Sequence, residues 1–247
     1  MRLSVLGACG AWPQADQACS GFLVEHDGFR LLLDLGYATL PQMLRQITAE
    51  QVDAVFVSHG HPDHCADLNP LLRARALGGR ASPPLPVYAP AGALDAVLAL
   101  DRPGFLDDAC VVHEVVPGAR FELGPFRAET RLLPHWVPNA GIRLVADGRA
   151  LAYTGDTGPS EHVVDLARDV DLLLAEATYP NEVPDHSRQY LSSARTAGRQ
   201  AAEAGAGHLL LTHLWPGTDP IIALAAAAEN YGGTVDVAAG RFTIEAA

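Results

Sequence analysis

Basic residues are scarce in this chain of 247 residues. Its 17 Lys+Arg stand against 29 Asp+Glu, a formal net charge of −12, the wrong sign for holding nucleic acid through the overall field of the protein. Cysteine is scarce as well, and Cys9, Cys19, Cys65 and Cys110 include no C-x-x-C pair. A chain of this length does not need disulfides for stability, so the four are expected as free thiols in a reducing cytoplasm. Long apolar runs are missing: stretches such as residues 221–228 fall far short of the roughly 20 residues that a membrane helix needs. The N-terminus shows neither an apolar h-region nor an A-x-A-like cleavage site and reads as a strand leading into the fold, so secretion is not expected. No repeat of solenoid length recurs, and no low-complexity linker divides the chain.

What remains, with 49% hydrophobic residues, suits one compact domain over residues 1–247. Residues 3–6, 21–25 and 29–34 read as strands, the last two joined by a His26-Asp27-Gly28 turn, with a helix near 40–47. An apolar β-branched run at 53–58 ends at a histidine cluster, and 63–77 then has helical spacing with Pro62 close to its start. A short strand at 86–89 and a helix at 91–100 lead to successive strands at 111–116, 120–123, 126–133, 141–146 and 150–154, a mostly antiparallel set. The pattern then alternates: helix 160–169, strand 172–175, helix 192–204, strand 208–212, helix 220–229 and a final strand near 242–244. Two sheets with helices outside them predict an α/β (α+β) four-layer αββα sandwich.

The ten histidines are the anomaly. Ser58-His59-Gly60-His61-Pro62-Asp63-His64 puts three imidazoles and a carboxylate at the end of a buried strand. Alternate residues of an extended strand end project to the same side, so His59 and His61 can bind one ion, while the turn brings Asp63 and His64 round to a second. Two ions need further ligands at the ends of later strands. His135 follows the strand at 126–133, Asp156 lies in the turn Thr154-Gly155-Asp156-Thr157, and His213 ends the run Leu209-Leu210-Leu211-Thr212. Sorted by geometry, His59, His61 and His135 make one site, Asp63, His64 and His213 the other, and Asp156 bridges both.

With these motifs in order, the chain resembles a metallo-β-lactamase-fold hydrolase and is most similar to the ribonuclease Z and cyclic-phosphodiesterase branch. Leu6-Gly7, Leu31-Leu32-Leu33-Asp34-Leu35-Gly36, the histidine cluster, His135, Gly155-Asp156-Thr157, Glu176-Ala177-Thr178 and Leu211-Thr212-His213 each match a family motif. The resemblance implies two Zn²⁺, or Mn²⁺ or Fe²⁺ in their place, and hydrolysis by a metal-bridging hydroxide, with Asp63 as a ligand that accepts the proton of the attacking water. It also implies that Asp34 hydrogen-bonds a ligand histidine, and that the protein is a homodimer.

The chain departs from the family at Leu191, where ribonuclease Z-like enzymes carry the histidine that pairs with the glutamate of the Glu-Ala-Thr motif to protonate the leaving group. Glu176 is therefore open to two readings, a catalytic carboxylate or a capping one, and His186 and Tyr190 are the nearest replacements for the missing acid. No Gly/Pro-rich RNA-gripping arm is visible, which together with the acidic charge argues against tRNA and for a small substrate. Arg143 is a candidate anion contact, and Trp136 is a pocket wall or rim packing. Cys65 reads as a small buried hydrophobe, and His26, His113, His162 and His208 read as surface or packing residues. The expected function is a cytoplasmic binuclear zinc phosphodiesterase acting on a small phosphate ester, with a carboxylic ester, thioester or lactone hydrolase as the alternative.

Overall fold

The apolar runs assemble into two seven-stranded sheets in the computed structural model, which describes residues 1–79, 82–116, 118–239 and 242–245. The first sheet contains β1 (Arg2–Gly7), β2 (Gly21–His26), β3 (Phe29–Leu35), β4 (Ala54–Phe56), β5 (Leu85–Ala89) and β6 (Cys110–Glu114). The second contains β7 (Arg120–Leu123), β8 (Phe126–Leu133), β9 (Asn139–Ala146), β10 (Arg149–Tyr153), β11 (Leu172–Glu176), β12 (His208–Thr212) and β13 (Thr234–Val237). β14 (Thr243–Glu245) returns to the first sheet and pairs with β1. Each sheet is antiparallel where hairpins connect neighbours and parallel where helices cross over, as at β3 to β6 and β10 to β13.

Side-chain alternation sorts the core into layers. In β3, Leu31 and Leu33 pack between the sheets, whereas Leu32 and Leu35 point the other way, beneath helices. Leu172 and Leu174 of β11 likewise face the inter-sheet core while Leu173 and Ala175 face outward. Burial on both faces explains why these strands read as continuous apolar runs, each leucine contributing about 1.5–3 kcal/mol. α1 (Thr39–Met43), α2 (Pro62–Cys65), α3 (Leu68–Leu77) and α4 (Asp95–Leu98) cover the first sheet. α5 (Glu161–Leu166), α6 (Ala194–Ala204) and α7 (Pro220–Ala228) cover the second. The result is the expected αββα sandwich.

Local expectations needed four corrections. The helix expected over 63–77 is two helices, because Asp67 leaves the helical ladder: its N–H donates to Leu35 O and its carboxylate accepts from Leu40 N. The helix near 40–47 stops at Met43. That expected over 91–100 shrinks to α4, since Gly92 at φ +75° makes a turn. β13 was not expected at all, because its short Thr-Val-Asp-Val run lacks a long apolar signal and is recruited by pairing with β12.

The topology sets the site's position. β4, β8, β10 and β12 all deliver their C-terminal ends to one edge of the sandwich, and His59, His135, Asp156 and His213 lie just beyond those ends.

Candidate metal centre

Asp34, near the end of β3, is fully buried and adopts φ 57°, a left-handed conformation uncommon outside glycine. Its Oδ1 accepts Ser58 N–H at 2.7 Å. Its Oδ2 accepts from Ser58 Oγ at 2.7 Å, Tyr153 Oη at 2.6 Å and His64 Nδ1 at 2.7 Å. Gly36, two residues on, has to be glycine, because a Cβ there would overlap the Asp63 carbonyl.

These bonds fix where protons sit. Ser58 Oγ gives its proton to Asp34, so at 3.0 Å it can only accept from His59 Nδ1, leaving a lone pair on His59 Nε2. His135 Nδ1 lies 2.9 Å from the Tyr190 carbonyl, which also only accepts, so His135 Nε2 carries a lone pair too. Both Nε2 atoms lie 3.1 Å from His61 Nδ1. At most one proton is thus available to three converging nitrogens. Burial lowers the pKa of all three imidazoles, most strongly for His59, which keeps them in the neutral form that binds a cation.

Asp63, His64, Asp156 and His213 converge beside this group. His64 is protonated on Nδ1 by its bond to Asp34, and its Nε2 faces Asp156 Oδ1 at 3.2 Å. Both of these atoms are buried and without a hydrogen-bond partner. Such orphaned polar atoms are costly unless something else binds them. Asp156 Oδ2 lies 3.3 Å from His213 Nε2, 3.9 Å from His59 Nε2 and 4.0 Å from His135 Nε2, so this carboxylate stands between the two groups. Burial opposes its charge, but His213, His64 and His59 hold its pKa well below the usual carboxylate range. Burial likewise opposes charge on His64, yet Asp156 and Asp34 push it well up. A field that draws protons this strongly also draws a metal cation. Each group offers one donor atom per residue, all within 4.8 Å of one another.

The backbone supports this placement. Gly155 at φ +60° makes the turn into Asp156, and Asn139 Nδ2 clamps it by donating to Thr154 O at 3.0 Å and Asp156 O at 2.7 Å. Ala11 N–H bonds Asp63 Oδ2 at 2.9 Å, and His213 Nδ1 meets Thr178 Oγ1 at 2.9 Å. Ser58 and Thr178 stood in the sequence only as members of motifs, with no role of their own, and Asn139 and Tyr153 were missed. Asn139 opens β9 and Tyr153 closes β10, so neither adjoins a candidate ligand in sequence.

Glu176 stands behind the centre. It is fully buried, and its oxygens accept from Thr157 N, Thr178 Oγ1 and Ser192 N. Burial and the Asp156 charge push its carboxyl up to about 8. A cleft of about 370 Å³ opens over the centre, with Trp136, Tyr179, His186, Leu191 and Trp215 among its walls. His186 is exposed there, and Leu191 is buried. Tyr190 gives its carbonyl to His135 and its ring to Trp136, 5.2 Å between centroids. Trp136 is half exposed and also packs edge-on against His135.

Arg143 corrects an expectation. Its guanidinium does not reach the cleft; it donates to Leu166 O at 3.1 Å and Arg168 O at 2.6 Å, satisfying carbonyls at the end of α5. Cys65 is buried, with its thiol pushed up to about 12 by burial and the Asp34 charge. His26 and His208 pair with Asp147 and Asp236, and His113 stacks on Tyr88, all in outer elements.

Residues 23–214 match the family model described as "Beta-lactamase superfamily domain". The chain is 32% identical over 217 residues to the probable metallo-hydrolase YhfI of Bacillus subtilis, covering 87% of each. The crystal structure of YhfI superposes with a TM-score of 0.89 at 29% identity, over 98% of each chain. The chain is also 29% identical over 303 residues to ribonuclease Z of Myxococcus xanthus, covering 99% of this chain and 97% of that one. Human tRNase Z, short form, shares the fold at a TM-score of 0.81 and 24% identity, over the full length of both chains.

Proposed function

Because the chain belongs to the β-lactamase superfamily of metal-dependent hydrolases, we propose that it is a binuclear zinc phosphodiesterase acting on a small phosphate ester. One observation carries this reading: the donor atoms fall into two adjoining groups, three neutral imidazoles in one and two carboxylates with two imidazoles in the other, and Asp156 lies between them. His59, His61 and His135 would hold one ion, Asp63, His64 and His213 the other, and Asp156 would bridge them; Mn²⁺ or Fe²⁺ suits the same donors. When bound, zinc supplies an acidified water and polarises the bond under attack.

The rest is done by the protein's own residues. Asp34 and Tyr190 O orient ligand imidazoles, and Asp63 accepts the proton of the attacking water. His186, exposed on the cleft wall, would protonate the leaving oxygen. The cleft size and the absence of arginine from its described lining favour a small substrate whose charge is met by the metals, over RNA. Among the described residues no helix is long and apolar enough to cross a membrane. This reading takes residues 1–247 as one domain in the cytoplasm, and light scattering tests the homodimer that the resemblance implies.

A second reading, a carboxylic ester, thioester or lactone hydrolase, is favoured by Leu191, since such leaving groups need less acid assistance. Zinc-loaded protein assayed against bis-p-nitrophenyl phosphate and against thioester and lactone substrates separates the two. Turnover of the phosphodiester alone supports the first reading, turnover of the carboxylic substrates alone supports the second, and no turnover with zinc or manganese contradicts both.

A further inference from the structure

Glu176 is buried behind the proposed centre with all its neighbours accounted for, and the histidine that would make it a proton donor in the resembling enzymes is Leu191 here. We propose that Glu176 is a positioning residue, which acts through Thr178 to fix the ring proton of His213 on Nδ1 and so leaves Nε2 free to bind metal. The inference rests on the binuclear reading and deepens it, by giving the second ion a support that is distinct from the Asp34 network of His64.

The chain of contacts is short and directional. Thr178 Oγ1 lies 2.6 Å from Glu176 Oε1 and 2.9 Å from His213 Nδ1. Beside the bound cations of the binuclear reading the carboxylate is ionised and can only accept, so the Thr178 hydroxyl must donate to it. The hydroxyl oxygen then has only lone pairs to offer His213, which must therefore donate from Nδ1. With the ring proton held on Nδ1, Nε2 is the atom that would face the ion, 3.2 Å from Asp63 Oδ2 and 3.3 Å from Asp156 Oδ2. The other donors to Glu176, Ser192 N at 3.1 Å on Oε1 and Thr157 N on Oε2, come from fixed backbone and leave the carboxylate no freedom to turn into the cleft. Thr157 directly follows Asp156, so one carboxylate anchors the segment of the bridging residue as well as the His213 tautomer.

Reversing the chain reverses its output. An amide in place of the carboxylate can donate to Thr178 Oγ1, whose hydroxyl then turns to His213 Nδ1 and moves the ring proton to Nε2, against the incoming ion. The backbone of His213 has no slack to compensate. It sits at φ 60°, and its N–H is bonded to Ala8 O at 3.0 Å.

The experiment compares wild type with Glu176→Gln, Thr178→Val and Thr178→Ser. Zinc per chain is measured after equilibration with a competing chelator, beside thermal unfolding and ¹⁵N spectra of the histidine rings. Wild type and Thr178→Ser are expected to hold two ions, Glu176→Gln and Thr178→Val one, with the zinc affinity of the second site down about 10–100-fold. In zinc-loaded wild type the His213 ring proton should appear on Nδ1, and Glu176→Gln should lose that signature. Thr178→Val keeps the Ser192 and Thr157 anchors of Glu176, so it tests the relay even where Glu176→Gln folds poorly. Two ions held with wild-type affinity by either variant overturns the inference, as does failure of Thr178→Ser to restore binding. A wild type that binds no zinc overturns the binuclear reading instead.

Discussion

Tyr153 Oη donates to Asp34 Oδ2 at 2.6 Å, joining residues 119 positions apart and tying the second sheet to the first. The same oxygen accepts the Nδ1–H of His64, so the carboxylate that orients one candidate ligand is itself held from the opposite layer. The inter-sheet core and the metal centre are therefore mechanically one object. Tyr153→Phe removes one donor with little change of shape. It should lower zinc affinity about 10–100-fold and stability by about 1 kcal/mol, measured by chelator competition and denaturant unfolding. Unchanged affinity would mean that Ser58 alone suffices to fix Asp34.

His186→Ala tests the source of the leaving-group proton. Hydrolysis of an alkyl phosphodiester, whose alkoxide leaves poorly, should fall about 10²-fold or more, while a p-nitrophenyl ester, which needs no acid, should be nearly unaffected. Equal losses on both substrates would assign His186 to binding.

Glu176 makes the metal-free protein sensitive to pH. Burial and the Asp156 charge raise its folded pKa to about 8 from a usual value of 4.5. The folded chain thus keeps a proton that the unfolded chain releases. Its contribution to stability is complete below pH 4.5 and is lost as pH rises through about 8. Glutamine mimics the protonated form at every pH. In chelator-treated samples, the melting temperature of Glu176→Gln relative to wild type should rise from pH 5 to pH 8. A constant difference across that range would contradict the assignment.

Arg143→Ala should leave kcat/KM unchanged and cost about 1–2 kcal/mol of stability, through loss of the carbonyl contacts at the end of α5. A fall in activity at unchanged stability would return Arg143 to the role of anion contact.

The sandwich and the grouping of donor atoms were legible in the sequence for a shared reason. Continuous apolar strands buried on both faces stand out, and ligands placed at strand ends follow them directly, as His213 follows Leu209-Leu210-Leu211-Thr212. Residues whose importance depends on tertiary contact were not legible. Tyr153 looks like an ordinary strand aromatic until Asp34 meets it from the other sheet, and Thr178 looks like a strand-end threonine until His213 arrives 35 positions later. Arg143 misled because its sequence position on β9, following His135, says nothing of which face of the strand it occupies. β13 escaped because pairing with β12, rather than its own composition, makes it a strand.

The most direct test of the central claim is the metal content of protein purified without chelators, measured by elemental analysis for the wild type, His64→Ala and Asp156→Ala. The account predicts two zinc ions per chain in the wild type, one or fewer in His64→Ala, and the greatest loss in Asp156→Ala, whose carboxylate stands between both groups. A folded wild type that holds no metal, or variants that hold as much as wild type, would contradict it.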